Sequence, residues 1–207
     1  MINLMYVVLM AMLALNISTE VLNGFSIVEE SLNRTTSNSS KENDAIYRNF
    51  SEQMKANPQK VKEWFEKATA VKQMSDSLYN FAQQLKTEIV RMADGKDGDV
   101  MNIVNKEDLE AANQVMLAPG TGKGRRLYDA INSFRTRIVS MVTDPRQRSI
   151  IESNLTTRLP KNAVTMGKNW QEYMFEDMPV AAAVTLLSKL QSDVRYAEGE
   201  VLHTLVS

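Results

Sequence analysis

The stretch PQKVKEWFEKATAVKQMSDSLYNFAQQLKTEIVRMAD, residues 58–94, decides the fold. Asn57 is a good helix N-cap. Pro58 is a good first helical residue, because its missing N–H would have no partner there and its φ is already helical. Positions 61, 64, 68, 71, 75, 78, 82, 85, 89 and 92 then follow at alternating steps of three and four, holding Val, Trp, Ala, Val, Ser, Leu, Ala, Leu, Ile and Met. A mean spacing of about 3.5 sustained this far predicts a helix packed along its whole length on others, in a coiled-coil-like bundle. At ~1.5 Å per residue it is about 50 Å long, and Asp94-Gly95 ends it.

Outward from this helix the same pattern recurs. Toward the N-terminus, Ile17, Val21, Phe25, Val28 and Leu32 lie on one helical face, and no proline interrupts the chain before Pro58. The polar, serine-rich residues 35–41 are an expected weak point before Ile46, Phe50 and Met54 resume the stripe. Toward the C-terminus, Asn105 is expected to cap a short helix reaching about Leu117, with a loop over 118–124. The next helix turns Leu127, Ile131, Phe134, Ile138 and Met141 inward. Asp144-Pro145 stops it and starts another, with Ile150, Ile151 and Leu155. Residues 159–169 read as irregular or extended. From Pro179 a last helix carries Val184, Leu187, Val194, Val201 and Leu205 at heptad-compatible positions, and it still reads as helical at Ser207, so a longer native chain is expected. No internal repeat or strand-like alternation is visible. The fold class is all-α.

Composition agrees. The chain has 207 residues, 43% of them hydrophobic and 24% charged, which is ordinary for a folded protein and excludes wholesale disorder. With only eight glycines and five prolines, few breakers oppose long helices. A net charge of −1 argues against nucleic acid as the main partner. Without a cysteine there is no disulfide, thiolate metal site or cysteine nucleophile.

Residues 1–15 are apolar apart from Asn3 and Tyr6 and carry no side-chain charge. Fifteen helical residues span only ~22 Å against a hydrocarbon core of ~30 Å. A secretory signal would want a basic start and a small-residue cleavage site, neither of which is evident. A buried core helix is a further alternative. A membrane span extended by residues 16–22 fits best. That divides the chain into a transmembrane helix over 1–22 and a helical domain over 23–207. Asn3 and Tyr6, three apart, share a helix face, either at headgroup depth or in a helix–helix contact.

Other motifs favour structural explanations. Residues 94–99 place three carboxylates in six positions, but an EF-hand loop would need acid or amide where Lys96 stands and Glu where Asn105 stands. Residues 120–124 resemble part of a phosphate loop. Leu117 stands where its first glycine belongs, and Gly124 where its Ser or Thr belongs. Lys123, Arg125, Arg126, Arg135 and Arg137 read as a solvated basic face. His203 is the only histidine and provides neither a metal site nor a catalytic pair. Trp64 and Trp170 read as core anchors. No acid–base couple stands out, so neither an enzyme nor a cofactor is expected.

The residues 1–25 (MINLMYVVLMAMLALNISTEVLNGF), 61–65 (VKEWF), 93–99 (ADGKDGD), 105–117 and 170–200 with its LSKLQSDVR core resemble the GldM/PorM family. These are inner-membrane motor proteins of the type IX secretion and gliding machinery of Bacteroidota. The resemblance implies one membrane helix followed by the first periplasmic domain. It also implies a homodimer whose paired membrane helices sit inside a ring of GldL/PorL-like helices, expected to be pentameric, with torque or conformational change passed on to periplasmic and outer-membrane parts. The basic stretch that the family carries before the motif is missing, so the motor's charge pair cannot be placed. Asn3 and Tyr6 match the motif and are the candidate contacts inside the ring. A periplasmic sensor and a static scaffold are the rival expectations.

Overall fold

The computed structural model describes residues 4–7 and 17–206, and every regular element among them is a helix. Residues 4–7 are helical and exposed. Most of the expected span over 1–22 lies outside the described residues, and among these no helix is long and apolar enough to cross a membrane.

Helix α1, Thr19–Ala56, starts at Ser18, whose hydroxyl accepts from the Val21 N–H at 3.2 Å. Glu20 in its first turn and Lys55 in its last both complement the helix dipole. The weak point expected at 35–41 is not there: the helix runs through it unbroken. Thr36 and Asn43 face inward and are buried, so packing on a neighbour overrides the weak local propensity.

Helix α2, Pro58–Asp94, matches the expected span, although the Asn57 side chain makes no capping bond and only its backbone N–H reaches back to Gln53. Eight of the ten heptad positions are buried. Met92, in the last turn, is 56% exposed and Trp64, near the start, 39%. Trp64 is therefore not the core anchor expected. It lines a shallow distal recess with Phe50 and His203.

Helix α3, Glu110–Leu117, begins later than expected. Asn105 turns back instead, its side-chain amide donating to the Ala93 carbonyl at 3.0 Å and to Asp94 at 2.9 Å. The capping task falls to Asp108, whose carboxylate accepts from the N–H groups of Glu110 (2.7 Å) and Ala111 (3.0 Å). Helix α4, Gly124–Ser140, buries Leu127, Ile131, Phe134 and Ile138 as expected, with Met141 half-buried after it. Helix α5, Pro145–Asn154, is capped by Asp144 and buries Ile151, while Ile150 stays exposed. The stretch expected to be irregular contains one helical segment, α6, Lys161–Thr165. Helix α7, Trp170–Phe175, is set by a reciprocal Asn169–Glu172 capping box. Helix α8, Val180–Val206, completes the chain's described part.

Helices α1, α2 and α8 form a three-helix bundle. Glu29 meets Ser188 and Tyr47 meets Glu198, so α8 runs parallel to α1. Lys86 meets Gln191 and Ser75 meets Glu198, so α2 runs antiparallel. Helices α3 to α7 pack around the half of the bundle nearer the start of α1, its proximal end. There Trp170 lies edge-on to Phe175, ring centres 6.1 Å apart, inside the main core. A smaller cluster of Phe50, Ala68 and Leu202 closes the distal end.

Candidate functional site

The contact between α1 and α8 is polar along much of its length. On α1 the residues facing inward are Glu29, Thr36, Asn43 and Phe50, one per heptad. Glu29 meets Ser188 of α8 and Asn43 meets the Arg195 carbonyl, while the half-buried Tyr47 of α1 meets Glu198. Apolar residues at these positions would give affinity without selecting a register. Polar ones fix the register and cost stability.

Two clusters occupy the seam. In the distal one, Glu198 is 2% exposed and accepts from the hydroxyls of Ser75 and Tyr47, each at 2.6 Å, and from Arg195 at 3.1 Å. Arg195 also donates to Asp76 at 2.8 Å and lies over the Tyr79 ring, 4.1 Å from its centre. Asn43 of α1 donates to the Arg195 carbonyl at 3.1 Å. Burial, and then the Glu198 charge, push the Tyr47 phenol well above its ordinary range. Burial alone would lower Arg195, but Asp76 and Glu198 outweigh it and hold the guanidinium charged. Burial would raise Asp76, and Lys72 and Arg195 outweigh that, leaving its carboxyl lowered.

In the proximal cluster Lys86, 3% exposed, donates to Gln191 at 3.0 Å and lies 3.5 Å from Glu29. Glu29 Oε1 also accepts from Ser188 at 2.6 Å, while its Oε2 is buried without a hydrogen-bond partner. Burial lowers the Lys86 ammonium, and Glu29 offsets this only in part. Gln191 is committed on both sides, its amide donating to the Tyr79 carbonyl (3.2 Å) and to Gln83 (3.0 Å). Tyr79 thus touches both clusters.

The features singled out in the sequence lie elsewhere. Asn3 falls outside the described residues, and Tyr6 is 62% exposed on residues 4–7. Asp94 anchors the loop after α2: its carboxylate accepts from the N–H groups of Val104 and Asn105, both at 2.8 Å. Residues 120–124 form a turn in which a side chain at Gly122 would come within 2.7 Å of the Met116 carbonyl. The basic residues are dispersed: Lys123 pairs with Glu88 (2.6 Å), Arg126 covers Phe81, and Arg135 donates to the Leu155 carbonyl (2.8 Å). Among the described residues, no group of three His, Cys, Asp or Glu side chains is placed to hold a metal ion.

The seam itself was missed. Its signal is the heptad 29–36–43–50 with polar residues at three of four positions, which apolar periodicity does not report.

The GldM N-terminal domain family matches residues 20–207, nearly all of the chain. The chain belongs to the GldM family. No curated protein matches it. GldM membership points to a part in gliding and type IX secretion. The seam is a set of packing and hydrogen-bond contacts that α8 makes with α1 and α2. Its charged groups are committed to one another, and their geometry fixes how α1 sits on α8.

Proposed function

We propose that this GldM-family chain is the transmission element of a proton-powered inner-membrane motor, with no chemistry of its own. Residues 1–22 anchor it in the inner membrane as part of a homodimer inside a GldL/PorL-like ring, with Asn3 and Tyr6 as ring contacts. Residues 23–207 lie in the periplasm and hand displacement to periplasmic and outer-membrane parts. The observation that carries this reading is α1. It is a single helix of 38 residues, about 57 Å long, that begins just after the apolar segment and is held to α8 by register-specific polar contacts.

A stiff α1 is essential to a transmission element and dispensable in a static scaffold. Inserting two glycines between Ser40 and Lys41, one turn before the buried Asn43, interrupts α1 without touching the apolar segment. Gliding and type IX secretion should be lost while the chain still assembles with its membrane partner. Normal secretion by that variant would sink the transmission reading. A cleft of about 730 Å³ between α1, α8 and the loop after α2 favours the sensor reading. A tight small-molecule ligand there would support it.

A further inference from the structure

A groove of about 850 Å³ opens between α4, α5, the turn after α5, α7 and α8. Its lining is largely apolar. Ile131, Leu155 and Leu187 are buried, Met174 and Leu190 are half-buried, and Tyr173 is 41% exposed. An apolar groove does not by itself say what fills it, but the charge around this one does.

Residues 145–168 carry five cations (Arg146, Arg148, Arg158, Lys161, Lys168) against one carboxylate (Glu152), a net charge of +4. The whole chain has a net charge of −1, so the rest of it carries −5. The groove is therefore flanked by a basic lobe on an otherwise acidic protein. Lys168 lies 3.6 Å from Glu176. The other four cations are exposed, and among the described residues none of them has a carboxylate partner. Arg158 lines the groove, Lys161 follows the lining Pro160, and Arg146 stands one turn before the lining Ser149 on α5. On the opposite wall Lys189 and Asp193 pair with each other at 2.7 Å, which leaves Glu152 as the one lining carboxylate set against these cations.

We infer that the groove is a docking site for an acidic segment of a partner protein. An apolar side chain of that segment covers the groove's lining, and its carboxylates meet Arg146, Arg158 and Lys161. Arginine suits this task, because its planar fork grips a carboxylate through two N–H groups and is less strongly hydrated than an ammonium. An anionic bilayer would satisfy the cations, but a flat surface does not enter a recess, so the concave shape favours a protein segment. The groove lies within residues 127–193, so the docking site does not depend on how residues 1–22 are placed. It would serve a transmission element and a scaffold alike.

Photocrosslinking in cells tests this. Benzoylphenylalanine replaces Tyr173 or, as a distal control, the exposed His203 in the full chain, and crosslinked peptides are sequenced by mass spectrometry. Adducts at 173 should exceed those at 203 several-fold, and the captured peptides should be net negative with at least one apolar residue. Replacing Arg146, Arg148, Arg158 and Lys161 together by Ser should reduce the adduct several-fold at an unchanged urea midpoint. Arg146→Lys, Arg148→Lys and Arg158→Lys together should keep most of it, because the charge remains. Should the fourfold serine variant unfold, Lys161→Glu gives the same reading, since a carboxylate is well tolerated in the first turn of a helix. Equal adducts at 173 and 203, captured peptides that are neutral or basic, or indifference to charge removal would each overturn the docking site. Adducts with lipid would assign the surface to a bilayer instead, and adducts with a second copy of this chain would assign it to self-association. Either outcome would also overturn the proposal.

Discussion

Glu198 concentrates the energetics of the seam in one carboxylate. Removing it from water is costly, and three donors from three helices, Ser75 on α2, Tyr47 on α1 and Arg195 on α8, offset that cost. Glu198→Ala leaves a buried guanidinium short of its partner and should lower the unfolding free energy by about 3–5 kcal/mol in urea titration. A loss under about 1 kcal/mol would mean that Asp76 suffices for Arg195 and that the cluster is not coupled. Tyr47 makes a second prediction through pH. Its phenol is raised in the fold by burial and by Glu198, whereas in the unfolded chain it ionises near pH 10. A raised folded value means that the stabilisation is complete below the unfolded value and declines as pH climbs above it. The advantage of the native chain over Tyr47→Phe should thus be constant up to about pH 10, then shrink by about 1.4 kcal/mol per pH unit. Parallel stability–pH curves for the two proteins would contradict this.

At the scale of elements, α1 and α8 come close at Gly199, where a Cβ would lie 2.9 Å from Asn43 Oδ1. Alanine in a helix interior normally gains about 0.5–1 kcal/mol over glycine. Here it must displace a buried amide that is bonded to the Arg195 carbonyl. Gly199→Ala should therefore destabilise by about 1–2 kcal/mol. Adding Asn43→Ala should restore part of that loss, giving a positive coupling in a double-mutant cycle read by chemical denaturation. Additive effects would show that the two helices do not press on each other there. The same pair illustrates what the sequence could reveal. The long elements were legible because apolar spacing reports burial directly: eight heptad positions of α2 and the Val184, Leu187, Val194 and Val201 stripe of α8 are buried as read. Asn43 and Thr36 were not legible, since a polar residue in a helix reads as solvated until a partner element is known. The true start of α3 was hidden for a related reason. Asn105 has the chemistry of a cap, but long-range bonds to Ala93 and Asp94 claim it, leaving the cap to Asp108.

For the molecule as a whole, the distribution of polarity is the informative feature. Helix α8 is wrapped by apolar neighbours, yet its contact with α1 is built on Glu29, Thr36 and Asn43. Two of these leave atoms without a partner: Glu29 Oε2 and Thr36 Oγ1 are both buried and unbonded. Each such atom forfeits about 1–3 kcal/mol. A bundle selected for stability alone would have filled these positions with leucine. Replacing a buried ion pair by apolar residues of similar size is often neutral or stabilising by about 1–4 kcal/mol. The triple variant Glu29→Leu, Lys86→Met, Thr36→Val should therefore unfold at higher urea than the native chain, and amide exchange along α1 should slow. If α1 is a transmission element held lightly in one register, this more stable protein should support less gliding and secretion, because the proximal half of α1 is now bound tightly and has lost the polar contacts that register it. The paired readout separates two explanations that loss of function alone would merge, since a variant that is both more stable and less active cannot owe its defect to misfolding. Higher stability with secretion undiminished would show that the polar seam plays no part in transmission.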